Sequence, residues 1–253
     1  AYETFPLTAE NDFLPDLDAI PEETARRAKF IYINYPNNPT GAVATKAFYE
    51  KLVAWAKTYE VGVVSDLAYG ALGYQGYENP SFLSTPGAKD VGIEFYTFSK
   101  TFNMAGWRLA FAAGNDQMIE ALNLIQDHLF VGIFPALQEA GIAALLDPKS
   151  EEVVAQLNAT YDSRRDAFVQ AAAKIGWQAF PSRGSFYAWM PVPEGYTSES
   201  FADLLLEKVH VAVAPGKGFG PAGDAYVRIG LLVEPERLVE AVDRIANLHL
   251  FNN

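Results

Sequence analysis

KFIYINY, residues 29–35, is a short apolar run that stops at Pro36. Residues 45–59 follow it with Phe48, Leu52, Trp55 or Ala56, and Tyr59 at helical spacing. VGVVS, residues 61–65, is short, β-branched and closed by Asp66. Two further runs are IEFYTF at 93–98 and LAFAA at 109–113, the second stopped by Gly114. Short apolar strands joined by helix-length connections predict a buried, mostly parallel sheet with right-handed crossovers, an α/β architecture.

Beyond Gly114 the pattern turns helical. Residues 117–130 place Met118, Leu122, Ile125 and Leu129 on one face. Pro135 opens a helix predicted to reach Leu146, where Asp147-Pro148 ends it. Residues 151–175 read as one long helix closed by Gly176. A mixed segment follows, with strands predicted over 177–180, 185–189, 209–213 and 226–229 and helices over 198–209 and 235–251. The expected division is a large unit over 1–147 and a smaller α+β unit over 148–253.

The chain has 253 residues, of which 50% are hydrophobic and 20% charged, so wholesale disorder is excluded. Lys and Arg number 19 against 31 Asp and Glu, a net charge of −12 that disfavours nucleic acid and anionic membranes as partners. There is no Cys, and His128, His210 and His249 lie far apart, so no metal site is expected. No apolar run approaches the ~18 residues of a membrane span, and a soluble cytoplasmic protein is expected.

The chemistry sits where the strands end, because open parallel sheets bind ligands outside their carboxyl ends. The first run leads into Asn37-Asn38-Pro39-Thr40-Gly41, the second into Asp66 with Tyr69 three residues on, and the third into Thr97-Phe98-Ser99-Lys100. Alone, each has a plain reading: a Pro/Gly turn, a cap on the next helix, a solvated lysine. Lys100, however, directly follows an apolar strand and precedes a mostly uncharged loop. A desolvated amine of this kind forms Schiff bases with carbonyl compounds. Arg108 reads either as a surface cation or as a bidentate clamp on phosphate, with the Thr97 and Ser99 hydroxyls flanking the same turn. Arg228, inside the apolar run Tyr226-Val227-Arg228-Ile229, reads as facing outward or as binding a carboxylate in a cleft. Gly216-Lys217-Gly218-Phe219-Gly220 lacks the strand–helix setting of a dinucleotide fingerprint and reads as a loop. Phe186, Tyr187 and Trp189 read as core of the smaller unit, with one ring available to face a substrate. Together, an amine, a carboxylate, a phenol, a phosphate cradle and a carboxylate-binding Arg are what pyridoxal phosphate requires.

With Asn38-Pro39-Thr40-Gly41, Asp66-x-x-Tyr69, Thr97-Phe98-Ser99-Lys100, Gly106-Trp107-Arg108 and Tyr226-Val227-Arg228 in this order, the chain resembles the class I/II aminotransferases, the fold-type I pyridoxal-phosphate enzymes. The resemblance implies a large domain with a mostly parallel sheet flanked by helices and a smaller C-terminal α+β domain. It implies that Lys100 is the Schiff-base lysine, that Asp66 partners the pyridinium nitrogen, and that Tyr69 and Asn38 bond the ring's 3-oxygen. It further implies that Thr97, Ser99 and Arg108 cradle the phosphate, that Arg228 clamps the substrate's α-carboxylate and that Asn38 also belongs to the substrate site.

The stretches 35–45 and Gln126-Asp127-His128 resemble the transaminase of methionine salvage, and LL-diaminopimelate aminotransferases are similar there. The implied reaction joins an amino acid and a 2-oxo acid in a cytoplasmic homodimer. The resemblance also implies that this chain lacks the N-terminal third of such enzymes, and with it part of the cofactor pocket; the piece alone is expected to be nearly inactive. Other readings of the same residues are an aspartate/aromatic aminotransferase, a C–S β-lyase or decarboxylase on the same fold, and the effector-binding domain of a regulator.

Overall fold

The computed structural model describes residues 2–180 and 182–251. Strands β1 (Phe30–Asn34), β2 (Gly62–Asp66), β3 (Gly92–Thr97) and β4 (Ala110–Gly114) form one sheet in the order β1-β2-β3-β4. Helix α1 (Glu22–Arg27) precedes it, α2 (Lys46–Tyr59) and α3 (Ala88–Val91) connect its strands, and α4 (Phe98–Thr101) follows β3. Then come α5 (Asp116–Leu129), α6 (Pro135–Leu146) and the long α7 (Ser150–Lys174). A second, antiparallel sheet contains β5 (Tyr187–Pro191), β6 (Ala214–Pro215) and β7 (Tyr226–Gly230) in the order β5-β7-β6, with α8 (Ser198–Val209) and α9 (Pro235–Ala246) packed beside it.

β1, β2 and β3 are parallel, as their spacing predicts, but β4 runs antiparallel to β3. The connection between them holds only α4 and a 3₁₀ turn at Ala105–Trp107. Its ends are pinned together where Phe98 N–H donates to Leu109 O at 3.2 Å, so the chain returns to the same end of the sheet. A parallel strand needs a crossover to the opposite end.

The first sheet buries one face more fully than the other. Ile31, Ile33 and Val63 pack against Phe48, Tyr49, Leu52, Val53 and Ala56 of α2, which Thr45 caps by accepting from Phe48 N at 3.1 Å. On the other face Ile93 is buried while Phe30 and Tyr32 are each 61% exposed, so the expected burial holds at β3 and not at β1. Between β2 and β3, buried Glu94 accepts from Ser65 Oγ (3.0 Å), Ser81 Oγ (2.5 Å) and Phe82 N (2.8 Å), which satisfies a carboxylate inside the core.

The second sheet turns Ala188, Met190, Val227 and Ile229 onto Phe168 and Ala172 of α7, Phe201 and Leu205 of α8, and Leu238 and Val242 of α9. Four boundaries differ from the sequence reading. Residues 177–180 form no strand; Trp177 is buried instead and donates its indole N–H to Pro191 O at 2.7 Å. β5 starts at Tyr187 because Ser185 sits at φ 61°, outside extended geometry. No strand forms over 209–213, since Val209 ends α8 and His210 caps it in the left-handed region at φ 55°; β6 follows at Ala214–Pro215. α9 stops at Ala246 rather than Phe251. Among the described residues no helix is long and apolar enough to cross a membrane.

Candidate active site

At the end of β1 the chain turns sharply through Asn37–Gly41. The Asn37 side-chain carbonyl accepts from Thr40 N (3.2 Å) and Thr40 Oγ1 (2.8 Å), and Gly41 N donates to Asn37 O at 2.8 Å. Gly41 has φ 71°, and a Cβ there would lie 2.1 Å from Ser182 Oγ, so only glycine fits. Gly41 O accepts from Arg183 N and Gly184 N at 3.2 and 3.3 Å, which ties this turn to the segment entering β5. The close approach at Gly41 is what brings the two sheets' side chains together.

Asn34 and Asp66 are register partners at the ends of β1 and β2. The Asn34 amide donates to Asp66 O at 3.0 Å, and its carbonyl accepts from Asn38 N at 2.9 Å. One side chain therefore fixes the strand end that carries Asp66 relative to the turn that carries Asn38. The Asp66 carboxylate accepts from Ala68 N at 3.1 Å, and Tyr32 donates its hydroxyl to it at 3.4 Å. Partial burial pushes this carboxyl above the ordinary aspartate range, while those two donors pull it back. A carboxylate short of solvation gains from facing a cation.

Tyr69 is buried, with its ring edge-on to Phe186 (5.3 Å) and Tyr187 (6.0 Å). Its phenol is pushed up first by burial, then by the Tyr187 hydroxyl and the Asp66 charge, against the pull of Arg228. It stays neutral and can donate. Lys100 lies on α4, whose first residues Thr97 caps by accepting from Ser99 N at 3.2 Å. Lys100 is half-buried rather than desolvated, with Nζ 5.9 Å from the Phe186 ring centroid. Phe186 thus contacts both the amine and the phenol.

Arg228 on β7 reaches across to the first sheet and donates from Nη1 to Asn38 Oδ1 at 2.8 Å. Its guanidinium carbon lies 4.2 Å from the Tyr187 ring centroid and 4.8 Å from that of Phe219. Asn38, Asp66, Tyr69, Lys100 and Arg228 therefore form one linked cluster. Thr97 and Ser99 are also together, with Thr97 Oγ1 donating to Ser99 Oγ at 3.0 Å. Arg108 is a different case. It stands before β4 in the left-handed region at φ 54°, and its Nη1 donates to Ala105 O of its own turn at 3.0 Å.

Asn34 and Phe219 join this cluster without having been singled out from sequence, and Tyr187 is the ring of the 186–189 aromatic group that faces Arg228. Asn34 carried a weak signal, a polar residue on the outer face of an apolar strand. Tyr187 alternates with core residues in β5, so its facing was open, and Phe219 was hidden among glycines.

The family description "Aminotransferase class I and II" matches residues 2–245. The chain belongs to that family. It is 56% identical over 98% of its length to the L-glutamine–4-(methylsulfanyl)-2-oxobutanoate aminotransferase of Bacillus subtilis, and 50% identical over 95% to an LL-diaminopimelate aminotransferase of Moorella thermoacetica. It spans 62% and 61% of those two proteins. Among solved structures, substrate-bound BacF from Bacillus subtilis superposes with a TM-score of 0.92 at 46% identity, covering 97% of this chain and 62% of that one. A Thermus thermophilus aspartate aminotransferase double mutant gives 0.88 at 30% identity, covering 95% and 62%. The fold is that of the fold-type I transferases.

Proposed function

We propose that this chain carries the lysine, ring-binding and carboxylate-binding groups of a pyridoxal-phosphate-dependent aminotransferase acting on an amino acid and a 2-oxo acid. The observation that carries the reading is the Arg228–Asn38 bond, which draws a cation from the second sheet into the cluster holding Asp66, Tyr69 and Lys100. The donor set fits the cofactor: an amine, a carboxylate raised by burial, a neutral phenol, an amide, two hydroxyls and an Arg.

The cofactor supplies an electron sink for the charge left at the substrate Cα. Asp66 holds the ring nitrogen in its cationic form. Tyr69 donates to the ring oxygen, and Asn38 shares its amide between that oxygen and Arg228. Thr97, Ser99 and Arg108 hold the phosphate. Arg228 offers its remaining N–H groups to the α-carboxylate as a planar fork. Lys100 Nζ would take the proton from the substrate Cα as general base and hold it for return as general acid.

Within this reading, 4-(methylsulfanyl)-2-oxobutanoate is the favoured acceptor, supported by the 56% identity to the B. subtilis aminotransferase of that name; the 50% identity to the M. thermoacetica protein makes LL-diaminopimelate the competing substrate. The exposed Leu124, Leu129, Phe130 and Phe134 support a second copy of the chain as partner, and the absence of Cys agrees with a cytoplasmic setting. The division into 1–147 and 148–253 belongs to the same reading, supported by the separate core under the second sheet. The test is Lys100→Ala in the full-length protein, assayed one amino acid at a time for 2-oxo-acid formation. Loss of all transamination is expected; retained turnover contradicts the assignment. Release of ammonia and thiol in place of a new amino acid would move the reaction to a β-lyase.

A further inference from the structure

The glycine-rich loop 216–220 has no role in the reading above, yet it delivers an aromatic ring to Arg228. A Cβ on Gly216 would lie 2.1 Å from Gly223 O and 2.4 Å from Tyr226 O, so the loop packs backbone on backbone where only glycine fits. Gly220, at φ 120°, turns the chain out of the 3₁₀ turn Gly216–Phe219. The loop is held to the start of α8 from both sides. Ser198 Oγ donates to Asp224 at 2.7 Å and accepts from Lys217 N at 3.2 Å, and Lys217 Nζ pairs with Glu199 at 2.5 Å. Phe219 then rests against buried Trp189, edge-on at 6.0 Å, and Trp189 stacks on Tyr226 at 5.1 Å. Such anchoring is more than a solvent-exposed turn needs. It fixes one ring beside one guanidinium, with Tyr187 flanking the same group.

We propose that Phe219 is a positioning residue for the carboxylate-binding guanidinium. With Tyr187 it packs against the Arg228 guanidinium, whose N–H groups serve Asn38 and the carboxylate of the substrate. A guanidinium flanked by rings loses little rotamer freedom on binding, and its charge is compensated without a competing carboxylate. The loop thereby sets affinity for the substrate's carboxylate rather than the rate of proton transfer. This rests on the reading of Arg228 as the carboxylate group.

The experiment uses the full-length protein with its cofactor and compares Phe219→Leu, Phe219→Trp and Arg228→Ala. Leu keeps apolar bulk without a π face; Trp restores the face. The readouts are KM and kcat for the 2-oxo acid, and the dissociation constants of unreactive 4-(methylsulfanyl)butanoate and its carboxamide. For Phe219→Leu, KM and the dissociation constant of the acid are expected to rise about three- to tenfold, with kcat changing less. The carboxamide should respond little, and Phe219→Trp should recover most of the loss. Wild-type affinity for the acid in Phe219→Leu, beside lost affinity in Arg228→Ala, overturns the role of Phe219. Equal weakening for acid and carboxamide, unrepaired by Trp, makes it a packing residue and overturns it too. Unchanged affinity in Arg228→Ala instead overturns the reading of Arg228 itself, so the two failures are told apart.

Discussion

The two ends of the candidate site are built differently. At one end Arg228, Asn38, Asn34 and Asp66 form a chain of hydrogen bonds that crosses from the second sheet to the first, with Tyr187 and Phe219 beside the guanidinium. At the other end Thr97 and Ser99 bond mainly each other, and Arg108 turns to a carbonyl of its own loop. The first end is preorganised by contacts between residues far apart in sequence. The second is a local turn whose groups bond one another and their own loop. Preorganised groups lose little freedom on binding and give specificity; locally assembled ones give up part of their binding energy to ordering.

That contrast can be broken at several points. Arg228→Ala should weaken a carboxylate substrate roughly 100-fold in KM or in direct titration, because it removes a charge-assisted fork. An effect under threefold would mean that the carboxylate binds elsewhere.

Asp66 gives a pH test. Its carboxyl is raised by burial, and only the ionised form holds a cationic ring nitrogen. On the proposed role, its contribution to cofactor affinity should be present above its pKa and be lost as pH falls through it, at higher pH than for an ordinary aspartate. Asp66→Asn should remove that dependence and bind cofactor weakly throughout. A parallel pH profile in the variant would assign the dependence to another group.

Asn34→Ala removes the bonds to Asp66 O and Asn38 N at once. It should cost about 1–3 kcal/mol of stability in denaturant unfolding and weaken both cofactor and carboxylate. Weakening of neither would show that the turn and the strand end hold each other without it. At the local end, Thr97→Ala should cost about 1 kcal/mol through the lost cap on α4. The smallest stability change is expected for Arg108→Ala, within about 0.5 kcal/mol, while it still weakens phosphate-bearing ligands.

The contrast also explains what was legible in the sequence. β1, β2 and β3 follow from short apolar runs and α2 from helical spacing, since each is a local pattern. The direction of β4 did not follow, because it depends on Phe98 meeting Leu109 across the loop. Among the candidate site residues, those at strand ends stood out because a polar group directly after an apolar run has few structural reasons to be there. Phe219 did not, and Tyr187 was read only as one of three rings of which one could face a substrate, because their meaning lies in a guanidinium that another strand supplies. Asn34 was hidden by its place within an apolar run, and its two partners lie in separate segments.

The most direct measurement is reductive trapping. The full-length protein is mixed with pyridoxal phosphate, treated with borohydride, digested and read by mass spectrometry. A single modified peptide carrying the cofactor on Lys100 is the predicted result, absent from Lys100→Ala; modification spread over other lysines with Lys100 untouched would contradict the account.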